Sequence, residues 1–120
     1  MSNEELVNDT LISLKEFLPN VILETRNTAE LFHSDREATA LGKLVHLIDA
    51  YSWIIDAVSG MKNLGYVQQL NFGGITNFLK DIEQAMSIQD FVAVSDILEY
   101  EIAEIFENWN KELNEGIGEN

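Results

Sequence analysis

The chain contains no cysteine, a single proline and few basic residues, and each scarcity limits the kinds of structure, site or partner that the chain can have. Without cysteine it forms neither disulfides nor thiolate metal sites, which fits a reducing cytosol. The stretch from Met1 to Glu5 lacks the basic start and apolar run of a secretion signal. No apolar run reaches the ~18 residues that would suggest a membrane span. We therefore predict a cytoplasmic protein with no membrane partner.

Positive charge is also scarce, since seven lysines and arginines face twenty-one acidic residues and the formal net charge is −14. Clustered basic side chains are needed to bind phosphate backbones, so we predict no nucleic-acid partner. From Ser87 onward, nine acidic residues accompany one basic residue, Lys111. This stretch has two interpretations: a solvated face, or a surface complementary to a basic partner or to divalent cations.

What the chain has in abundance is a repeat of core-type residues spaced four, three, four, three. The first stripe consists of Val7, Leu11, Leu14, Leu18, Val21, Thr25, Thr28 and Phe32. The second stripe consists of Leu41, Leu44, Ile48, Tyr51, Ile55 and Val58. Each predicts a helix that other helices must cover. A chain of 120 residues is enough for one domain, which we place at 1–120.

The boundary between the first two helices has its own signals. Pro19 removes a backbone hydrogen bond inside the first pattern, so we predict a first helix over 3–33 that is kinked there. Ser34 and Glu37 have the spacing of a capping box. This predicts a second helix that begins near Asp35, almost directly after the first ends, and the two helices are then antiparallel neighbours.

The second half of the chain completes the predicted fold. After a glycine-containing irregular segment, 62–74, the pattern predicts a short third helix over 75–86 and a fourth helix up to residue 113. The tail from Asn114 has little to bury and is expected to fray. The predicted fold is all-α: an antiparallel up-down four-helix bundle, with its first helix kinked at Pro19 and its third helix short.

Residues able to bind a metal or perform catalysis are sparse. Glu30 and His33 form an E-x-x-H pair, and His46 and Asp49 could supply a second arm of a carboxylate and histidine metal site. In the heptad frame His46 and Asp49 point away from the stripe, as Glu30 does, whereas a buried metal centre needs inward ligands. We therefore assign no catalytic, cofactor-binding or metal residues, and keep a metal-binding bundle with an enzymatic or storage role as the alternative.

Exposed aromatic and aliphatic residues are more suggestive of contact with a partner. If the stripe of the second helix faces the core, Trp53 is outward and Ile54 flanks it, and Leu23 lies similarly outside the first helix. Tyr66 and Phe72, in the irregular segment, are the remaining candidates. Aromatic residues are enriched at binding hot spots, so these five residues predict a partner-binding surface. The other interpretation is that Trp53 packs beneath the segment from Tyr66 to Phe72.

The end of the chain carries a resemblance. Residues 89–91 and 96–102, with Trp109 beyond them, resemble a stretch of small uncharacterised acidic helical-bundle proteins of Gram-positive bacteria. Some of these are similar to segments encoded near flagellar and surface-glycosylation functions. The resemblance covers the last quarter of the chain and implies no catalytic residues. In size and shape the chain is also similar to flagellar export chaperones, which are small acidic helical bundles.

These observations together predict a non-enzymatic protein-interaction module: an adaptor, a chaperone-like protein or a regulatory helical bundle without a cofactor. Its predicted partner is a protein, either another chain or a second copy of itself, bound through an apolar helix stripe.

Overall fold

A computed structural model describes residues 2–115, and the regular elements within that range are helices. The first three are α1 (Asn3–His33), α2 (Glu37–Asn63) and α3 (Ile75–Ser87). The fourth helix is continuous and has three parts: α4 (Phe91–Asp96), a π-helical turn (Ile97–Ile102) and α5 (Ala103–Asn114). The prediction of an all-helical chain with four helices is confirmed, while the predicted fraying of the tail concerns mainly residues 116–120, which lie outside the described range.

α1 is the central element, because it packs against α2 and against all three parts of the fourth helix. All eight residues of its predicted stripe are buried. The helix is continuous through Pro19. It begins at Asn3, as expected, and Ser2 is the N-cap, whose hydroxyl accepts a hydrogen bond from the amide of Glu5 at 3.2 Å. Within residues 2–115, none of the helices combines the length and apolar character needed to cross a bilayer.

α2 is rotated relative to the predicted stripe. Its buried residues are Ala40, Leu44, Leu47, Tyr51, Ile54, Val58 and Met61. This set also has the spacing four, three, four, three, and it shares Leu44, Tyr51 and Val58 with the prediction. The structure therefore buries the second of two overlapping stripes, and Ile48 is 41% exposed. The reason is tertiary: the flank with Leu47 and Ile54 faces the long α1, whereas the flank with Ile48 faces the short α3.

The first three helices end in the same way, in a Schellman motif whose left-handed residue is Asp35, Gly65 or Gln89. After α1, the amide of Arg36 donates to the carbonyl of Leu31 at 3.0 Å. The predicted capping box is therefore wrong. The hydroxyl of Ser34 donates back to the Glu30 carbonyl, and α2 begins at Glu37 behind Arg36, which makes no side-chain cap. The C-terminal requirements of α1 take precedence over N-capping of α2 in a connection this short.

The irregular segment after α2 is held against the end of the bundle by side chains. Lys62 donates to the carbonyl of Leu70, and the Gln68 amide returns a hydrogen bond to the carbonyl of Lys62 at 2.9 Å. The indole of Trp109 donates to the carbonyl of Asn71 at 2.7 Å. The segment is thus tied to both α2 and α5. Lys62 thus has two roles. Its positive charge lies favourably at the C-terminal end of the α2 dipole, and its hydrogen bond to Leu70 holds the segment in place.

The fourth helix buries Val94, Leu98, Ile102, Phe106 and Trp109, whereas Ile105 is half-buried. Phe106 lies between Tyr51 and Trp109, with ring centroids 5.3 and 5.4 Å away. α3 packs on α4 and on the π-helical turn. Leu79 and Met86 of α3 are half-buried and lie on its side towards α2.

Arg26 of α1 binds the fourth helix beside its π-helical turn. Its guanidinium is 2.9 Å from a carboxylate oxygen of Glu107 and 3.4 Å from one of Glu104, and it donates to the backbone carbonyl of Glu99 at 3.4 Å. The hydrogen bond with Glu107 raises the pKa of Arg26. A π-helical turn disturbs the regular hydrogen bonding of a helix, so a donor from a neighbouring helix compensates one of its carbonyls.

The core contains a few polar groups, and each has a partner. Thr25 and Tyr51 share a hydrogen bond of 2.6 Å between α1 and α2, and the hydroxyl of Ser95 donates to the carbonyl of Ala29 at 2.7 Å. Thr28 donates to a carbonyl of its own helix. Among residues 2–115, no buried side-chain polar atom lacks a partner. The two interhelical bonds therefore specify how α1 is aligned with its neighbours without leaving unsatisfied groups.

We expect the Thr25–Tyr51 hydrogen bond to show a favourable coupling energy. Tyr51→Phe and Thr25→Val should each lower the free energy of unfolding by about 1–3 kcal/mol, because each strands a buried hydroxyl. The double variant should lose about 1 kcal/mol less than the sum of the two. Urea unfolding of the four proteins measures this, and strictly additive losses would contradict the assignment.

We expect a loss of stability at high pH that depends on Tyr51. Burial raises the pKa of its hydroxyl above the ordinary value of 10.0, although the hydrogen bond with Thr25 opposes this. Above pH 10 the unfolded chain therefore binds fewer protons than the folded chain, so the free energy of unfolding falls as pH rises. When the free energy of unfolding is measured from about pH 8 to about pH 11, it should fall more steeply for the native chain than for Tyr51→Phe.

Candidate partner-binding surface

An exposed aromatic pair marks the seam between α1 and α2. The rings of Phe17 and Trp53 lie edge to face, with centroids 5.4 Å apart. Phe17 is 36% exposed and Trp53 is 43% exposed. Each projects from a position directly beside a buried residue, Leu18 on α1 and Ile54 on α2, so the core holds both backbones in place. The pair is a preorganised apolar feature on the surface.

Three depressions follow this seam, and the aromatic pair connects them. The first, of about 500 Å³, is lined by Ser13, Glu16, Phe17, Asn20 and Trp53. The second, of about 270 Å³, lies nearer the α1–α2 connection and is lined by Phe17, Asn20, Val21, Glu24, Lys43, His46, Leu47 and Ala50. The third, of about 380 Å³, lies towards the start of α1 and is lined by Leu6, Val7, Thr10, Trp53, Asp56, Ala57, Gly60, Met61 and Leu64.

The charges along the seam are predominantly acidic. Glu16 of α1 and Asp56 of α2 line two of the depressions that the aromatic pair connects. The cation on the seam, Lys43, is paired with Glu24 at 3.2 Å. The seam therefore combines exposed aromatic surface with carboxylates on both flanks, which suits a partner that offers apolar and basic groups together.

The structure separates the residues that the sequence analysis grouped with Trp53. Ile54 was expected to be outward and is fully buried, at 0% exposure, because α2 presents its Leu47–Ile54 flank to α1. Leu23 is exposed, but it lies six residues from Phe17, about a third of a turn around α1, and lines none of the seam depressions. Trp53 thus remains exposed without either of these two neighbours.

Tyr66 and Phe72 are half-buried and pack against the core at the end of the bundle. The ring of Phe72 meets that of Trp109 edge to face at 5.7 Å, and the ammonium of Lys62 lies 5.5 Å from its centroid. The structure therefore gives these aromatic side chains an intramolecular contact. Trp53 is exposed and its ring meets that of Phe17, so the interpretation that it lies beneath the segment from Tyr66 to Phe72 is not supported.

The four residues of the metal-binding alternative lie in different places. His33 faces the fourth helix, with a ring nitrogen 3.7 Å from a carboxylate oxygen of Asp96. His46 lines the seam between α1 and α2. Within the part of the chain that the structure describes, no three histidine, aspartate or glutamate side chains come together as a metal site. Glu30, His33, His46 and Asp49 do not form one centre in this structure.

A second groove separates α2 from α3 and is almost purely apolar. It has a volume of about 440 Å³ and is lined by Leu41, Leu44, Val45, Ile48, Leu79, Ile82, Glu83 and Met86. Glu83 is the charged side chain in this lining. The groove results from the rotation of α2, which leaves Ile48 on the side of the shorter helix.

Phe17 is the surface residue that sequence reasoning missed. It lies directly beside the stripe of α1, in a row with Thr10 and Glu24 at seven-residue spacing. An aromatic residue in such a flanking row was the available signal. This signal did not distinguish a surface residue from a core residue, because a slightly wider buried stripe on α1 would also include position 17.

Comparison with known proteins gives a family but no activity. The family described as Domain of unknown function (DUF8042) matches residues 9–112. Neither the curated proteins nor the solved structures contain a significant match to the chain. The match includes all of α2, α1 from residue 9 onward, and most of the fourth helix.

We expect the two tryptophans to differ strongly in solvent access. In Trp53→Phe the remaining indole is that of Trp109, which is 2% exposed, so emission should shift to shorter wavelength and acrylamide quenching should weaken. Tyr100→Phe, at another exposed aromatic residue, serves as the control and should leave both properties unchanged. Equal quenching of the native chain and Trp53→Phe would contradict the exposed position of Trp53.

Proposed function

The chain belongs to the family described as Domain of unknown function (DUF8042), and we propose that it is a non-enzymatic protein-interaction module. Its role is that of an adaptor, a chaperone-like protein or a regulatory helical bundle. The observation that carries the proposal is the exposed Phe17–Trp53 pair, placed between depressions on the seam of α1 and α2. Large exposed aromatic side chains beside concave surface are typical of binding hot spots.

The proposed fold behind this surface is an antiparallel up-down bundle of one domain. Contacts across the seam support it, because Glu24 meets Lys43 near the connection while Phe17, seven residues earlier in α1, meets Trp53, ten residues later in α2. A core cluster with residues from all four helices supports a single domain. We also propose that Pro19 kinks α1, since a proline inside a helix removes one backbone hydrogen bond.

The proposed partner is a protein, met in the cytoplasm, with a second copy of the chain as the other candidate. A net charge of −14 disfavours nucleic acid and anionic membrane surfaces. The resemblance of residues 89–109 to helical proteins of Gram-positive bacteria stays a prediction, and the uncharacterised family that the chain belongs to is consistent with it.

We expect Trp53→Ala to weaken partner binding strongly while the fold is retained. Truncation of a hot-spot tryptophan lowers affinity by about 30-fold or more, because the apolar contact is lost. The measurement is a quantitative pull-down from lysate of the source organism, followed by mass spectrometry and by calorimetry with the purified partner. Circular dichroism checks that helical content is unchanged.

Tyr100→Ala is the matched control, because Tyr100 is an exposed aromatic residue on the fourth helix and lines none of the seam depressions. A protein retained by the native chain and by Tyr100→Ala, but lost with Trp53→Ala, supports the proposal. Equal recovery with all three chains removes Trp53 from the proposed surface. Unfolding of Trp53→Ala would place this side chain among the residues on which the core depends, and would equally end its assignment to binding.

A further inference from the structure

We infer that the seam between α1 and α2 takes a basic amphipathic helix of a partner protein, an inference that rests on the proposed function and names the partner's chemistry. Three properties of the seam carry it: its length, its apolar centre and its acidic flanks. Each can be read from residues that line the depressions or lie in register with them.

The length of the seam corresponds to a helix of about five turns. Its lining begins at Leu6 and extends to Glu24 along α1. At a rise of 1.5 Å per residue this is about 27 Å, which is the length of a helix of roughly 18 residues. Because the regular elements of residues 2–115 are helices, they offer a partner no sheet edge to extend, and an apolar helix face laid into the groove is the binding mode that suits a seam of this length.

The apolar centre is the Phe17–Trp53 pair, and exposed Leu6 and Leu64 continue it at the end that lies towards the start of α1. A helix that occupies the groove would place apolar residues at intervals of three and four along this line. Apolar side chains of the partner helix would then enter the depressions beside the aromatic pair and would be more fully buried there than on the ring faces alone.

The flanks carry acid on both helices. On α1, exposed Asp9 precedes Glu16 by seven residues, and on α2, exposed Asp49 precedes Asp56 by seven, so each pair lies in one row two turns apart. Lys43 is already paired with Glu24. A helix with lysine or arginine beside its apolar stripe therefore meets carboxylates on either side of the groove.

A second copy of the chain fits this surface less well. Each copy has a formal charge of −14, and two copies joined through the seam would bring the acidic rows of one against those of the other. Like charges facing each other across an interface disfavour the complex. The same reasoning favours a basic partner over an acidic one of equal hydrophobicity.

The test uses two synthetic 18-residue amphipathic helices, one with leucine and lysine and one with leucine and glutamate, as labelled probes in fluorescence anisotropy. The native chain should bind the lysine peptide at least tenfold more tightly than the glutamate peptide. Trp53→Ala should weaken binding of the lysine peptide by about 30-fold, and Tyr100→Ala should change it less than twofold. Affinity should fall as salt is raised.

A matched pair of charge variants locates the binding. Glu16→Gln with Asp56→Asn should weaken the lysine peptide by about tenfold, because it removes one carboxylate from each flank. Asp81→Asn with Glu101→Gln removes the same charge from exposed positions of α3 and the fourth helix, and should change affinity less than twofold. Equal weakening by both pairs means attraction to overall charge alone, which overturns the inference.

The remaining outcomes separate this inference from the proposed function. If neither peptide binds but the native chain self-associates in sedimentation and Trp53→Ala does not, the seam is an interaction surface for a second copy, and only the inference about a basic helix is wrong. Tighter binding of the glutamate peptide also overturns the inference alone. If Trp53→Ala changes neither peptide binding, self-association nor recovery of a cellular partner, both the inference and the proposed function are wrong.

Discussion

The hydrogen bond between Thr25 and Tyr51 joins α1 to α2 at one rotation of α2, and the surface of the molecule depends on that rotation. Tyr51 belongs to both apolar stripes of α2, so the stripes alone do not decide which flank is buried. In the rotation that places its hydroxyl at Thr25 on α1, the flank with Leu47 and Ile54 is buried in the core. Trp53 is then left outside, beside Phe17, and Ile48 is left facing the groove along α3. The rotation of α2 that includes this bond therefore sets both the core and the candidate surface.

The acidic last quarter of the chain has a structural use that its charge alone did not indicate. Two of its glutamates, Glu104 and Glu107, bind Arg26, and a carbonyl of the π-helical turn accepts a hydrogen bond from the same guanidinium. These ion pairs are partly exposed, so each is worth little by itself. Their geometry nevertheless draws one basic residue of α1 to the irregular part of the fourth helix. The candidate surface uses a different set of carboxylates, which belong to α1 and α2.

The sequence was sufficient to predict the buried face of a helix where its apolar residues form one stripe and no second stripe competes with it. The stripe of α1 has no competing register, and its eight residues are all buried. It was insufficient for α2, because Leu41, Ile48 and Ile55 compete with Leu47, Ile54 and Met61, and only the neighbouring helices decide between them. Helix ends were similarly underdetermined, since Asp35 and Gln89 adopt left-handed conformations for which glycine would be the usual signal. The pairing of Phe17 with Trp53 depends on the alignment of two helices, which no local pattern in either helix contains.

The central position of α1 has a consequence for the order in which the chain can fold. Its partners lie at the two extremes of sequence separation: α2 follows immediately, whereas Ser95 and Glu104 are 66 and 78 residues away from the groups that they contact on α1. While the protein is being synthesised, α1 and α2 can pair early, but the remaining side of the α1 stripe cannot be covered until the last helix has left the ribosome. A chain truncated before residue 91 therefore exposes part of its core along most of the length of α1. When the fourth helix is complete, it covers the apolar surface that the nascent α1–α2 hairpin leaves exposed.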